Sequence, residues 1–583
     1  MNTANVERLL KVSRATRPLA RPGGGIYFAS NFEGHFQAYE VAGAGAEPRR
    51  ITDTDQRIIP HASTEFGLLL RTDTGGNEAW QLTMLEHGGA LRPLTRDSRA
   101  IHQGVTLHPD RRRAALGWNP KGRQDVILGE LDLATGELTE WATPGLFWSV
   151  FAWNPDGTRL AVTKSLGSLN EAYLLDRDGS LTRVLPGAKR VNLYWTKAGL
   201  FAVSDYESDF FGCICAVDPA SPAEPARWVH RLDRDIEALI PDHGGSRAAL
   251  IVNDGIYDQV QLLDLGSGQA SVQTDFGKGV VIGDHSGAAG YHLNWSEDDN
   301  TLFAAWDRTT QPADILAWPN GVRWTNVNPE PGAGLIEPIE TTYTSFDGLE
   351  IPALFYRVDD KPRPAVVYFH GGPESQSRGE YRPIYHLMTS VGINVLAPNV
   401  RGSTGYGYRY QSLDDKTLRW DSVRDGCAGG RHLLDSGLSS KVAAMGGSYG
   451  GFMTLAVIVE DPELWSAAVD LVGIANWKSF FANMGAWRRV LRMQEYGDPE
   501  GAEADFLYEI SPLHQAHKIR APLLILHGRN DPRVPVQETE QMAAAAKDVE
   551  LMIFEDEGHG ITRHANMVSS NSRILSFLQD KLT

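Results

Sequence analysis

From residue 24 to residue 326 the chain shows almost no helical periodicity. Short apolar or alternating runs recur instead, each followed by a polar turn, and this texture constrains the fold more than any other feature. Seven units begin near Gly25-Ile26-Tyr27-Phe28, Phe66-Gly67-Leu68-Leu69, Arg113-Ala114-Ala115-Leu116, Arg159-Leu160-Ala161-Val162, Gly199-Leu200-Phe201-Ala202, Arg247-Ala248-Ala249-Leu250 and Thr301-Leu302-Phe303-Ala304. In each, a turn leads to a second strand such as Gln37-Ala38-Tyr39-Glu40-Val41 or Gln261-Leu262-Leu263-Asp264-Leu265, and then to a closing strand. Turn signals at Ala134-Thr135-Gly136, Asn154-Pro155-Asp156-Gly157 and Asp178-Gly179 fall where hairpins need them. A period of roughly 40–50 residues with about four strands is that of a propeller blade. One blade cannot bury both faces, so neighbours must stack, and seven close a ring. The tryptophans at 80, 118, 153, 195 and 306 read as inter-blade core. Alone, this half of the chain would be a scaffold or a protein-binding platform.

The period changes beyond the Pro- and Gly-rich stretch 329–338. Apolar strands at 353–356, 365–369, 393–397, 442–445, 467–471, 523–526 and 551–554 alternate with helix-like segments at 422–434, 449–460, 537–546 and 566–582. That alternation predicts a mostly parallel sheet covered on both faces, with reacting groups beyond the carboxyl ends of its strands. A chain of 583 residues is too long for one core, in keeping with two domains.

A formal net charge of −18 would repel phosphate backbones, which excludes a nucleic-acid partner. Three cysteines, Cys213, Cys215 and Cys427, are too few for a disulfide framework and have no His or Cys cluster beside them, so they read as buried structural thiols. No run of eighteen apolar residues predicts a spanning helix, so no membrane association is expected. Near the N-terminus there is no secretory apolar core; Val6, Leu9 and Leu10 instead mark one side of a short amphipathic helix, and a cytoplasmic protein is expected.

Chemistry concentrates at four strand ends. Met445-Gly446-Gly447-Ser448-Tyr449-Gly450-Gly451 has the G-x-S-x-G form of a nucleophile elbow, with Ser448 at the apex of a strand-to-helix turn. His370-Gly371-Gly372-Pro373 follows the 365–369 strand; its Gly372 N–H and the Tyr449 N–H would supply the two donors of an oxyanion hole. Asp531 lies in the loop after 523–526, and His559 in the loop after 551–554. Ser448, Asp531 and His559 stand in the chain order of an α/β-hydrolase triad. His370 reads as a residue that orients its loop, and His527 as an ordinary loop residue.

These motifs, with Arg401-Gly402-Ser403-Thr404-Gly405-Tyr406-Gly407 and Asp531-Pro532-Arg533-Val534-Pro535, resemble the prolyl oligopeptidase family of serine peptidases, and within it the acylaminoacyl peptidase branch. The resemblance implies a seven-bladed β-propeller at 23–328, an α/β-hydrolase catalytic domain at 329–583 and an N-terminal segment, 1–22, whose helix packs on the hydrolase domain. It implies Ser448 as nucleophile, His559 as base and Asp531 as its orienter, with no cofactor and no metal. Prolyl oligopeptidases proper use a tyrosine side chain in the oxyanion hole, so the His-Gly-Gly-Pro form leans away from them. The implied activity is release of an N-acylated residue from short peptides; a dipeptidyl or oligopeptidyl aminopeptidase and an esterase or arylamidase are the alternatives. From another class, an inactive propeller binding module is disfavoured by the complete triad. Trp477, Phe480, Phe481 and Trp487 read either as lining of an apolar substrate pocket or as the buried face of an amphipathic helix. Arg533 reads either as a substrate anchor or as a structural ion pair. Members of the family often associate, so a homo-oligomer, dimer or larger, fits the resemblance.

Overall fold

The computed structural model describes residues 3–32, 34–74, 79–97, 99–120, 122–283, 293–328, 334–484 and 486–582. The chain divides into two compact units, one of 1–12 with 330–583 and the other of 13–329.

The second unit is a seven-bladed β-propeller. Among the described residues it holds seven antiparallel sheets, six of four strands and a last one of five, with the strands of the first six sheets in sequence order. In the fourth, Trp148–Trp153, Arg159–Leu166, Leu169–Asp176 and Leu181–Val184 pair in turn. Its hairpins use the signalled turns: the N–H of Gly157 donates to the Asn154 carbonyl at 3.0 Å, and that of Gly179 to Asp176 at 3.0 Å.

Each of the first six sheets begins one strand earlier than the repeat read from the sequence, and the last begins two short strands earlier, Val280–Val281 and Leu293–Trp295. The reason is burial: the second strands, such as Gly67–Asp73 and Leu302–Arg308, are buried almost throughout and dominate the apolar texture, whereas a first strand such as Ile101–Leu107 is only half-buried. The first strand of the first sheet is therefore Ala15–Ala20, inside the segment read from the sequence as N-terminal helix. The change of unit falls at 12/13, because Thr16 and Arg17 occur in a run that pairs with Ile26–Ser30.

Neighbouring blades share apolar clusters. Trp118 packs with Leu69, Leu82 and Met84 of the preceding blade, Trp153 with Ala115 and Leu128, and Trp306 with Ala249 and Ile251. Trp80 departs from this pattern and stacks against the guanidinium groups of Arg57 and Arg71, at 5.1 and 4.9 Å. The ring closes where Ala15, Ile26, Phe28 and Tyr39 of the first sheet meet Phe303, Ala305 and Ile315 of the last. Cys213 and Cys215 are buried free thiols in one strand.

The other unit is built on an eight-stranded sheet. We label its strands β1 (Ile339–Thr344), β2 (Glu350–Tyr356), β3 (Arg363–Phe369), β4 (Asn394–Pro398), β5 (Ser439–Gly447), β6 (Ala467–Leu471), β7 (Leu523–Gly528) and β8 (Val549–Phe554). The order is β1-β2-β4-β3-β5-β6-β7-β8, with β2 antiparallel to both β1 and β4 and every later pairing parallel. β6 and β7 are buried almost throughout, and β3 and β5 through their centres, as strands covered on two faces must be.

Among the described residues, the α-helices of seven residues or more are α1 (Thr3–Leu10), α2 (Pro383–Ser390), α3 (Arg419–Asp435), α4 (Tyr449–Glu460), α5 (Trp477–Asn483), α6 (Ala486–Tyr496), α7 (Gln537–Ala545) and α8 (His564–Leu582). α1 belongs to this unit: Val6, Leu9 and Leu10 are buried, and Tyr381 Oη donates to the Leu9 carbonyl at 3.3 Å.

Candidate active site

β5 runs into α4 with a single residue between them, Ser448. Its φ of 60° and ψ of −119° lie outside the regions open to most side chains, so the turn stores strain at the apex. The turn survives because the sheet leaves it no alternative: the Ser448 N–H donates to the Leu471 carbonyl at 2.8 Å, and the Ser448 carbonyl accepts from Gly451 and Phe452 at 2.9 and 3.1 Å. The flanking glycines are required by close packing. A methyl group on Gly450 would lie 2.2 Å from the Phe369 carbonyl oxygen, and one on Gly446 only 2.3 Å from that of Gly450.

β3 neighbours β5 with Phe369 opposite Gly446, which brings the loop 370–373 beside the elbow. A methyl group on Gly371 would stand 3.5 Å from Ser448 Cβ. Gly372 has φ 138°, a conformation that favours glycine. His370 holds the peptide that presents the Gly372 N–H. A carbonyl only accepts, so the Nδ1–H of His370 donates to the Gly371 oxygen at 2.9 Å; Nε2 lies 2.9 Å from Ser403 Oγ, whose own proton goes to the Val400 carbonyl at 2.6 Å. Burial pushes the His370 pKa down to about 4. Neutral and held through Nδ1, His370 orients this loop and is not built to carry protons at neutral pH.

Asp531 and His559 meet across the ends of β7 and β8. His559 Nδ1 donates to Asp531 Oδ2 at 2.7 Å, while Asp531 Oδ1 accepts from the N–H groups of Arg533 and Val534 at 2.7 and 2.9 Å. Because the carboxylate only accepts, the Nδ1–H tautomer is selected and His559 Nε2 is left with its lone pair. The Asp531 side chain is fully buried. Burial by itself would raise its pKa, but hydrogen bonds from His527 and His559, with the His559 charge, hold it well below the usual carboxylate range. The loops approach closely here too: a methyl group on Gly528 would lie 2.1 Å from the Gly558 carbonyl oxygen.

His527, read as a bland loop residue, proves to be part of this arrangement. It is fully buried at the end of β7; its Nε2–H donates to the Val534 carbonyl at 3.0 Å and lies 3.5 Å from Asp531 Oδ2, and Nδ1 accepts from Thr539 Oγ1 at 2.6 Å. A histidine four residues before the acid, with both in a tight loop, was the available sequence signal. Arg533 is exposed and its contribution to Asp531 is its backbone N–H.

Trp477, Phe480 and Phe481 are buried in one aromatic cluster with Phe452, Tyr449 and Tyr496; the Trp477 and Tyr496 rings stand 4.6 Å apart. In this unit they pack behind the elbow as core. The side chain of Trp487 lies outside the described residues.

Among the described residues, Asp414, Asp415 and Glu495 bring carboxylate oxygens within 4.8 Å of one another, close enough for a cation. The resident cation is a side chain. Arg419 donates to Asp414 Oδ2 at 2.9 Å and to Glu495 Oε1 at 2.6 Å, and a metal ion would have to sit against its guanidinium charge.

The strand order and the elbow define an α/β-hydrolase. Residues 380–583, within the hydrolase domain, match the model of the prolyl oligopeptidase family. Dipeptidyl aminopeptidase BIII of Pseudoxanthomonas mexicana is 33% identical over 38% of this chain and 33% of its own length. Acylamino-acid-releasing enzyme 2 of Oryza sativa subsp. japonica is 30% identical over 37% of this chain and 30% of its own. The chain thus matches these curated relatives over about a third of their length. The solved puromycin-hydrolyzing peptidase of Mycobacterium tuberculosis has the same fold, with a TM-score of 0.83 at 20% identity, covering 100% of this chain and 96% of that one. Among the described residues no helix is long and apolar enough to cross a membrane.

Proposed function

We propose that the protein is a serine peptidase that cleaves short peptides through an acyl-enzyme, releasing an N-acylated residue. The observation that carries the chemistry is the 2.7 Å bond between His559 Nδ1 and buried Asp531, in the same sheet whose β5 ends in Ser448, a strained and half-buried serine. His559 Nε2 takes the Ser448 proton as Oγ attacks the scissile carbonyl. The N–H groups of Gly372 and Tyr449 receive the oxyanion, each worth about 3–4 kcal/mol where such a donor is removed. The protonated His559 then gives its proton to the leaving amine, and water, deprotonated by the same nitrogen, hydrolyses the acyl-enzyme. The Asp531 charge, held ionised to low pH, stabilises the imidazolium throughout. The acylaminoacyl assignment is supported by the His-Gly-Gly-Pro loop and by relatives named acylamino-acid-releasing enzymes.

A dipeptidyl aminopeptidase is the second reading, favoured by the relatives that carry that name and by an acid beside the oxyanion loop. Glu374 follows Pro373, and burial, with Glu495 nearby, pushes its pKa up to about 8. Its Oε2 lies 3.6 Å from Arg492, so a substrate amine would compete with that guanidinium.

The deciding experiment compares acetyl-blocked, free-amine dipeptidyl and internal chromogenic substrates, with Ser448→Ala as control. Preference for the free amine would overturn the acylaminoacyl assignment. Failure of a fluorophosphonate to label Ser448 in folded protein would overturn the serine-hydrolase reading itself.

A further inference from the structure

Arg419 opens α3 and is fully buried, and nothing in the catalytic chemistry uses it. Its Nη1 donates to Asp414 Oδ2 at 2.9 Å and to Tyr449 Oη at 2.8 Å. Its Nη2 donates to the backbone oxygen of Glu495 at 3.0 Å and to Glu495 Oε1 at 2.6 Å. The guanidinium also lies against two rings, with its carbon 5.2 Å from the Tyr449 centroid and 4.7 Å from that of Tyr496. The two rings are nearly parallel, at 11°.

Each ring leads to one half of the oxyanion hole. Tyr449 is the first residue of α4, and its backbone N–H is one donor. Tyr496 Oη donates to the carbonyl of Gly372, whose N–H is the other donor, at 3.3 Å. On the elbow side β6 holds the donor segment as far as Ser448, but on the other side the sheet fixes the segment only as far as Phe369. Beyond that point a glycine loop must be held by side chains, because donors that stabilise an oxyanion need positions fixed to within about 0.5 Å. His370 holds the peptide before Gly372, and Tyr496 holds the one after it.

We propose that Arg419 is a positioning residue for the oxyanion hole. One buried cation ties the Tyr449 side chain to the Glu495–Tyr496 end of α6, and so sets the spacing between the Tyr449 and Gly372 donors. The proposal rests on the reading of those two N–H groups as the oxyanion site. It also accounts for a fully buried arginine at this place: without it Asp414 and Glu495 would face each other unpaired.

The test uses the full chain with Tyr496→Phe, Arg419→Lys and Arg419→Met, each checked by thermal unfolding. Tyr496→Phe keeps the ring and loses only the hydroxyl, so it should fold normally even if Arg419→Met does not. The readouts are kcat and KM on a chromogenic substrate, and the affinity of a peptide aldehyde whose hemiacetal oxygen would occupy the hole. Tyr496→Phe should lower kcat about tenfold, leave KM within about twofold, and weaken the aldehyde by the same factor as kcat. Arg419→Lys should fall between wild type and Arg419→Met, since one ammonium cannot serve both Tyr449 and Glu495 with the geometry of a planar fork. Wild-type kcat and aldehyde affinity in Tyr496→Phe and Arg419→Lys would overturn the proposal. So would a rise in KM at constant kcat, or a fall in kcat matched by the loss of folded protein. If instead wild type is not labelled by a fluorophosphonate and Ser448→Ala stays active, the underlying reading fails.

Discussion

His559 Nδ1 lies 2.7 Å from Asp531 Oδ2, and the other oxygen of that carboxylate is held by the backbone N–H groups of Arg533 and Val534. The acid is thus fixed by its own loop before it touches the histidine, and it presents one oxygen in one direction. An acid held in this way selects the imidazole tautomer as well as its orientation.

Asp531→Asn tests that selection. An amide nitrogen facing His559 would favour the opposite tautomer, putting the proton on Nε2, where it blocks removal of the Ser448 proton. We expect kcat to fall about 10⁴-fold with the fold intact. Steady-state kinetics alongside a thermal melt check it; a loss of less than tenfold would show that Asp531 does not select the tautomer.

His527 extends the same arrangement inward. Its Nε2–H reaches the Val534 carbonyl at 3.0 Å and lies 3.5 Å from Asp531 Oδ2, so it braces the 531–534 turn from behind. In His527→Gln the amide keeps a donor near that position, and kcat should drop no more than about fivefold. His527→Ala leaves Thr539 and Val534 without their partner in a buried site, and should cost about 2–4 kcal/mol of stability with a larger drop in kcat. Urea unfolding and kcat for both variants decide it; equal activity in the two would remove His527 from the catalytic arrangement.

The elbow makes a steric prediction. A methyl group at Gly450 would lie 2.2 Å from the Phe369 carbonyl oxygen and 2.8 Å from that of His370, both at the root of the oxyanion loop. Gly450→Ala should therefore displace that loop and lower kcat at least about 100-fold, even where folded protein is recovered. A folded Gly450→Ala with kcat near wild type would mean that the loop and the elbow move independently.

What the sequence made legible follows from how local each signal is. The apolar second strands announced seven blades because their burial is nearly complete, but first strands such as Ile101–Leu107 are half-buried and their membership in the next sheet left little trace. Ser448, Asp531 and His559 were legible because each sits in a short loop directly after an apolar strand. Gly371 and Gly372 were legible for the same reason. Arg419 was not: its partners Glu495 and Tyr449 are 76 and 30 residues away, and an arginine at the start of a helix looks like a solvated charge. The aromatic segment 477–481 was ambiguous in principle, since a pocket wall and a core helix call for the same residues. The burial of Trp477 and Phe481 is a property of packing against Phe452 and Tyr496, which no local pattern encodes.

Asp470 makes the pH prediction. It lies in β6 directly behind the elbow, fully buried, with Gly451 and Gly473 so close that a methyl group on either would stand 2.4 or 2.2 Å from its Oδ1. Burial pushes its pKa up to about 7, against an ordinary 3.8; nearby His527 and the Gly473 N–H offset only part of that. Between these two values the unfolded chain has released this proton and the folded chain retains it, so the folded state binds more protons and stability falls as pH rises. The loss begins near pH 4 and is complete above pH 7. The displacement from 3.8 to about 7 sets a ceiling of roughly 4 kcal/mol on that loss. Asp470→Asn keeps the shape and removes the ionisation, so it should be no more stable than wild type at pH 4.5 but more stable by about 1–3 kcal/mol at pH 8. Other buried acids, Glu538 among them, also rise to about 7 and add to the slope of both proteins, so the difference between the two urea-unfolding curves isolates Asp470. Parallel curves from pH 4.5 to 8.5 would show that this carboxyl ionises in the folded protein as it does in the unfolded one.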